Sequence, residues 1–89
     1  MRLDQYLKLS RIIKQRSAAK SACDAGRVEI TGRKAKAGTE IHEGDEIAVN
    51  LRDRFLRVRV RKIPAGNVSK ARASELYDLI EDRKAARFR

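Results

Sequence analysis

The chain carries one cysteine, one histidine, one proline and no tryptophan in 89 residues. Cys23 alone excludes an intramolecular disulfide and a thiolate metal cluster, and it fits a reducing compartment. With His42 as the one imidazole, little material remains for a zinc site or a Cys–His nucleophile pair. His42 sits in an acidic turn region and reads as a surface residue. The aromatic residues are Tyr6, Phe55, Tyr77 and Phe88, with Tyr6 and Tyr77 on apolar helical patterns. A stacking platform for single-stranded bases needs two or three exposed rings on a sheet, which this set does not supply. No apolar run approaches the ~18–20 residues that span a bilayer. Charged sequence follows Met1 at once, where a secretory segment would place its apolar stretch. Neither a membrane protein nor a secreted one is expected; the expected location is the cytoplasm.

Positive charge is what the chain has in excess. Twenty-two Lys and Arg stand against twelve Asp and Glu, a net charge of +10. Such a field attracts polyanions, and nucleic acid is the commonest polyanion available to a cytoplasmic protein. The length allows one small domain. Leu, Ile, Val and Phe total 21 residues, just above the level, roughly a fifth, below which a highly charged chain stays disordered. The domain is expected to fold around a thin core. Its charge is uneven: residues 1–36 carry a net +7, residues 37–51 a net −4, residues 52–62 a net +5 and residues 63–89 a net +2. This layout reads as two basic patches separated by an acidic hairpin region.

The apolar period places Leu3, Tyr6, Leu7 and Ser10 on one face of a first helix, with Asp4, Lys8 and Arg11 on the other side. Ser17 suits the N-cap of a second helix and Gly26 its end. Ala18, Ala22 and Ala25 then form a small-residue packing face, opposite Arg16 and Lys20, with Arg27 just past the end in nearly the same direction. After Gly26 the period changes to two. Val28 to Ile30 reads as a strand, Thr31-Gly32-Arg33 as a turn, and Glu43-Gly44-Asp45 as a second turn before a strand with Ile47, Val49 and Leu51 facing inward. From Phe55 to Arg61, Val58 and Val60 point one way and Arg57, Arg59 and Arg61 the other, a guanidinium rail spaced about 7 Å apart. From Ser69 to about Arg87, Ala73, Leu76, Tyr77 and Ile80 stand at helical spacing, and a C-terminal helix with a basic tail (Arg83, Lys84, Arg87, Arg89) is expected. The class is α+β, divided into residues 1–63 and a C-terminal segment, 64–89.

The Arg16, Lys20 and Arg27 ridge, with Arg2 and Arg11 nearby in sequence, suits phosphate, because guanidinium forks match phosphate oxygens and each contact releases counterions. Few acids neighbour these residues, which favours that reading over a merely solvated helix face. The Arg57/Arg59/Arg61 rail supports two readings: a second RNA contact, or an edge strand kept soluble by charge. Asp4 reads as a dipole or positioning residue for Arg2 or Arg11. Cys23 reads as a buried small hydrophobe. Glu43, Asp45 and Glu46 lack the ligand spacing of a calcium loop. There is no Gly-rich phosphate loop and no nucleophile–base pair, so no catalytic residue, metal or cofactor is expected. Backbone and shape recognition of structured RNA fits better than base-by-base reading.

Arg2-Leu3-Asp4-x-Tyr6-Leu7, Arg16-x-x-Ala19-Lys20, Gly26-Arg27-Val28-x-Ile30-x-Gly32 and Ile41-x-x-Gly44-Asp45 occur in that order. Together they resemble an S4-type RNA-binding domain over about residues 1–50. Thr31 stands where that family most often has Asn. The resemblance implies the S4-type (alpha-L) fold: two short N-terminal helices packed on a small twisted antiparallel sheet, with RNA lying along the second helix and the turn after it. On this sequence the RNA-binding candidates are Arg2, Arg11, Lys14, Arg16, Lys20, Arg27, Arg33 and Lys34, with Arg57, Arg59 and Arg61 as a secondary basic patch. Many S4-type proteins append the module to an enzyme body, such as a pseudouridine synthase, methyltransferase or synthetase. This chain instead resembles the stand-alone bacterial members, the RqcP and small heat-shock S4 branches. That resemblance implies a protein that binds rRNA and peptidyl-tRNA on obstructed large ribosomal subunits, beside a nascent-chain tailing factor on the same subunit; a monomer is expected. The alternatives are a heat-shock recycling factor for such subunits, a general structured-RNA binder, and the RNA-binding subunit of an RNA-modifying enzyme.

Overall fold

A computed structural model describes residues 1–66 and 68–84. Helix α1 spans Leu3–Leu9 and α2 spans Arg16–Asp24. Five strands follow: β1 Val28–Ile30, β2 Arg33–Lys34, β3 Glu46–Leu51, β4 Arg54–Val60 and β5 Tyr77–Lys84, with a 3-10 helix, Lys70–Leu76, before β5. The strands form one antiparallel sheet in the order β2-β1-β3-β4-β5.

No side chain caps the start of α1. Its first amides are met from elsewhere: Leu3 N–H donates to Thr39 O (2.8 Å) and Asp4 N–H to Ala37 O (3.1 Å). Ile41 N–H returns to Met1 O (3.0 Å), so the segment 37–41 is stitched along the amino terminus. A helix end left without a side-chain cap is thereby satisfied by backbone. Helix α2 starts at Arg16, with Gln15 rather than Ser17 in the cap position. Its packing face also differs: Ala19, Ala22 and Cys23, at i, i+3 and i+4, are buried, whereas Ala18 and Ala25 are exposed. The expected Ala18/Ala22/Ala25 face therefore holds only at Ala22. The end of α2 is as expected. Gly26 takes φ +74°, Gly26 N–H donates to Cys23 O and Arg27 N–H to Ala22 O, the Schellman pairing that a left-handed glycine permits.

Thr31 and Gly32, at φ +50° and +84°, make the tight β1–β2 turn. Ile47 and Val49 of β3 and Leu56, Val58 and Val60 of β4 pack inward on Leu3, Tyr6, Leu7, Ala19 and Cys23, forming one thin core between helices and sheet.

The C-terminal helix expected from Ser69 to Arg87 is replaced. Ala73 and Leu76 are buried on a 3-10 helix, whose three-residue period serves that pair, and the chain then becomes β5. The cause is the free edge of β4. Pairing with it from Tyr77 to Lys84 satisfies a row of backbone groups and brings Asp78, Glu81 and Asp82 beside Arg61, Arg57 and Arg54. Ile80 stays 45% exposed. For the same reason β4 is an interior strand, and the edge-strand reading of its arginines falls away. Of the basic tail, Arg83 and Lys84 lie on β5; Arg87 and Arg89 fall outside the described residues.

Tyr6 ties this C-terminal segment to α1. Its buried hydroxyl donates to Leu76 O at 2.7 Å, a carbonyl that also accepts from Arg61 N–H (2.8 Å) and Lys62 N–H (3.0 Å). Burial, with the nearby Tyr77 and Asp78, pushes the phenol well above its ordinary pKa, so it remains a donor. Tyr6→Phe is expected to lose about 1 kcal/mol in urea unfolding, because Leu76 O keeps two other donors.

Candidate nucleic-acid interface

Two cations of the N-terminal third, Arg2 and Arg16, meet at one buried acid. Asp4 is 2% exposed, although its position on α1 had suggested the solvent side. Its carboxylate accepts from Arg2 Nε (3.2 Å) and Nη2 (3.4 Å), Arg16 Nε (3.4 Å) and its neighbour's amide, Gln5 N–H (2.8 Å). Burial would raise this carboxyl's pKa, but the hydrogen bonds and charges of Arg2 and Arg16 outweigh it and hold the group below the usual carboxylate range. Each guanidinium is about half exposed. Arg16 engages Asp4 through Nε, so its terminal nitrogens remain available for another acceptor.

Lys20 follows Arg16 by one helical turn, at a rise of about 6 Å. The Schellman end of α2 places Arg27 next, and the Lys34 side chain lies over Gly26, with Nζ 3.5 Å from where a Cβ would stand. A β-carbon there would meet this lysine as well as strain the backbone. Arg2, Arg16, Lys20, Lys34 and Arg27 thus follow α2 from its start to its end, and all are exposed. Among the described residues, Asp4 is the one acid in ion-pair contact with any of the eight N-terminal candidates. Arg11 diverges from the ridge. It takes φ +63° after α1 and lines a recess of about 100 Å³ with Arg54, Leu79 and Asp82 at the β4–β5 side. Lys14 is exposed between the helices, and Arg33 on β2 beyond the turn.

The second basic patch is differently built. Arg59 Nη2 meets Glu46 Oε2 at 3.0 Å, Arg61 Nη1 lies 3.8 Å from Asp78 Oδ1, and Arg57 Nε lies 4.0 Å from Glu81 Oε1. Acids from β3 and β5 thus neutralise the rail that alternation had revealed. Cys23, buried against the core, has its thiol pushed up to about 11 by burial and then by Asp4 and Asp24; it is a packing residue. Among the described residues, no three His, Cys, Asp or Glu side chains gather so as to hold a metal ion, and no helix is long and apolar enough to cross a membrane.

Residues 1–47, which include both helices, the turn and the Arg2–Asp4–Arg16 cluster, match the S4 domain family. The chain is an S4-domain protein. It is 42% identical over 79 residues to the RQC P-site tRNA stabilizing factor of Halalkalibacterium halodurans, covering 89% of each chain. It is 37% identical over 84 residues to the protein of that name from Bacillus subtilis, covering 94% of this chain and 96% of the relative. By identity and coverage it belongs to the family of these factors. Among solved structures, its S4 fold superimposes on the trimeric structure of Vibrio cholerae Heat Shock Protein 15 with a TM-score of 0.81, at 27% identity, covering 90% of this chain and 81% of that one.

Sequence reasoning offered Asp4 as a positioning residue for Arg2 or Arg11; the structure pairs it with Arg2 and with Arg16, not with Arg11. Asp4 and Arg16 lie on different helices, so no single periodicity links them.

Proposed function

We propose that this protein is a non-enzymatic, cytoplasmic RNA-binding factor that docks on rRNA and tRNA of large (50S) ribosomal subunits obstructed by peptidyl-tRNA. There it holds the tRNA during ribosome-associated quality control and so supports C-terminal alanine tailing by a separate factor on the same subunit. The observation that carries this reading is the row of exposed cations along α2, of which Arg2 and Arg16 are oriented from beneath by Asp4. The relatives' names point the same way: those named for stabilizing a P-site tRNA match nearly the whole chain. Its contacts are Arg2, Arg16, Lys20, Arg27 and Lys34, with Arg11, Lys14 and Arg33 at the margins. Arg57, Arg59 and Arg61 form a secondary contact, since RNA reaching them has to displace or share their acids. It works as a monomer.

Recognition is electrostatic docking of a preformed face on folded RNA. With about five to seven phosphates contacted, affinity falls with salt at a log–log slope of roughly −3 to −6. Binding of purified protein to tRNA-bearing large subunits, titrated across salt concentrations, measures the slope, and a flat response overturns the docking mechanism. Sucrose-gradient sedimentation tests the partner. The protein should travel with large subunits that carry peptidyl-tRNA, and protein left at the top of the gradient removes the ribosomal part of the reading.

The likeness to Heat Shock Protein 15 favours a second reading, a recycling factor for the same obstructed subunits. Loss of alanine tails on deletion of this protein separates the two, because a recycling factor is not required to make them.

A further inference from the structure

Among the described residues, the outer face of the sheet, turned away from the helices, carries one aromatic ring. Phe55 of β4 is half-buried and pairs in register with Asn50 of β3. Two guanidiniums lie over it, Arg57 at 5.8 Å and Arg83 at 5.3 Å from the ring centroid. Glu81 stands between them, 2.7 Å from Arg83 Nε and 4.0 Å from Arg57 Nε. Recesses open on both sides of this group, of about 190 Å³ and 270 Å³, and Phe55 and Asn50 line both. Arg27 and Arg57 stand in the first, with Glu29 beside them. Arg52, Arg54, Arg83 and Lys84 line the second; Arg54 is held by Asp82 (2.9 and 2.7 Å) and Arg83 by Glu81 (2.7 Å), so a phosphate shares these two with their acids.

We propose that this wall is a second RNA site that takes an unpaired nucleotide of the RNA held along α2. The base lies against Phe55 and its guanidinium neighbours, its edge meets the Asn50 amide, and its flanking phosphates meet the cations on either side. The inference rests on the RNA-binding reading and adds a contact to it. Charge and chemistry choose the occupant. A ring beside guanidinium planes offers stacking to any base, an amide offers both donors and an acceptor to a base edge, and the flanking cations suit phosphates. Arg27 belongs to the end of the α2 ridge and also lines the first recess, so one strand can pass from ridge to wall by way of Arg27. One ring accommodates one nucleotide; it does not form the multi-ring platform that reads a strand base by base.

Two RNA probes test it: a blunt hairpin, and the same hairpin with a short unpaired tail containing 2-aminopurine. The wild type is expected to bind the tailed hairpin about tenfold more tightly, the size of one base–aromatic stack, with altered 2-aminopurine fluorescence. Phe55→Leu, which keeps an apolar side chain in the sheet, and Asn50→Ala should each reduce that preference while leaving blunt-hairpin binding unchanged. Equal wild-type affinity for both hairpins, or a preference that survives in Phe55→Leu, overturns the second site. If the wild type binds neither hairpin at low salt, the RNA-binding reading fails and this site with it.

Discussion

Replacing Arg16 and Lys20 together with Ala is expected to weaken binding to tRNA-bearing large subunits about 100-fold, with the fold kept and some stability lost because Asp4 then has Arg2 alone as its cation. Hydrogen bonds to charged groups contribute about 1.5–3 kcal/mol each, and two at the lower value correspond to roughly two decades. Both side chains are exposed on α2, whose buried face is made by other residues, Ala19, Ala22 and Cys23. The loss should appear in affinity and also as a salt slope shallower by about 1.5, since two phosphate contacts disappear. Arg57→Ala with Arg59→Ala removes as much formal charge, yet only a few-fold loss is expected. Those guanidiniums already have Glu81 and Glu46 beside them, so RNA gains less from them. Equal losses from the two pairs would show that net charge alone drives binding.

Asp4→Asn is expected to reduce both stability and RNA affinity, and the second effect has the diagnostic sign. Removing an acid raises the net charge by one unit, so a purely electrostatic account predicts tighter binding. A positioning role predicts weaker binding, by about five- to tenfold, because Arg2 and Arg16 lose the carboxylate that holds them beside each other. The stability cost is about 2 kcal/mol, at the low end for a buried acceptor of charged donors because both guanidiniums are half exposed. For a domain of this size that corresponds to a fall of about 10 °C in Tm. The pH dependence follows from a carboxyl held below its usual range when folded. Its stabilisation is fully present above the ordinary carboxylate pKa and is lost as pH falls through the lower, folded value. The gap between wild type and Asp4→Asn should therefore be widest at neutral pH and close in acid. Thermal unfolding of both proteins across the acid range reads it.

Much of this was legible because it is local. The positions of α1 and the end of α2 come from apolar spacing and Gly26, β1, β3 and β4 from alternation, and the ridge from unopposed Arg and Lys. What escaped depends on partners far along the chain. The spacing of Ala73, Leu76, Tyr77 and Ile80 is helical, yet Tyr77 to Lys84 becomes a strand because β4 has an edge to offer; tertiary pairing overrides local pattern. Asp4 looks solvent-facing until Arg16 arrives on another helix. The Arg57 rail looks free until the acids of β5 lie beside it. Ala18 and Ala19 project about 100° apart, and it is Ala19, with Ala22 and Cys23, that packs on the core, a choice made by tertiary contact rather than by local spacing.

The carbonyl of Leu76 gives the molecule an indivisibility that family boundaries hide. Similarity to the S4 domain ends at residue 47, inside β3, but one oxygen near the other end of the chain receives the Tyr6 hydroxyl and the amides of Arg61 and Lys62. A fragment cut after residue 63 would leave those three donors without their acceptor and strip β4 of its neighbour. Helix α1, which carries Asp4 beneath Arg2 and Arg16, would then lose its anchor through a cut made nearly sixty residues away in sequence. Transplanting this S4 module into another protein therefore requires the whole sheet, not the matched segment.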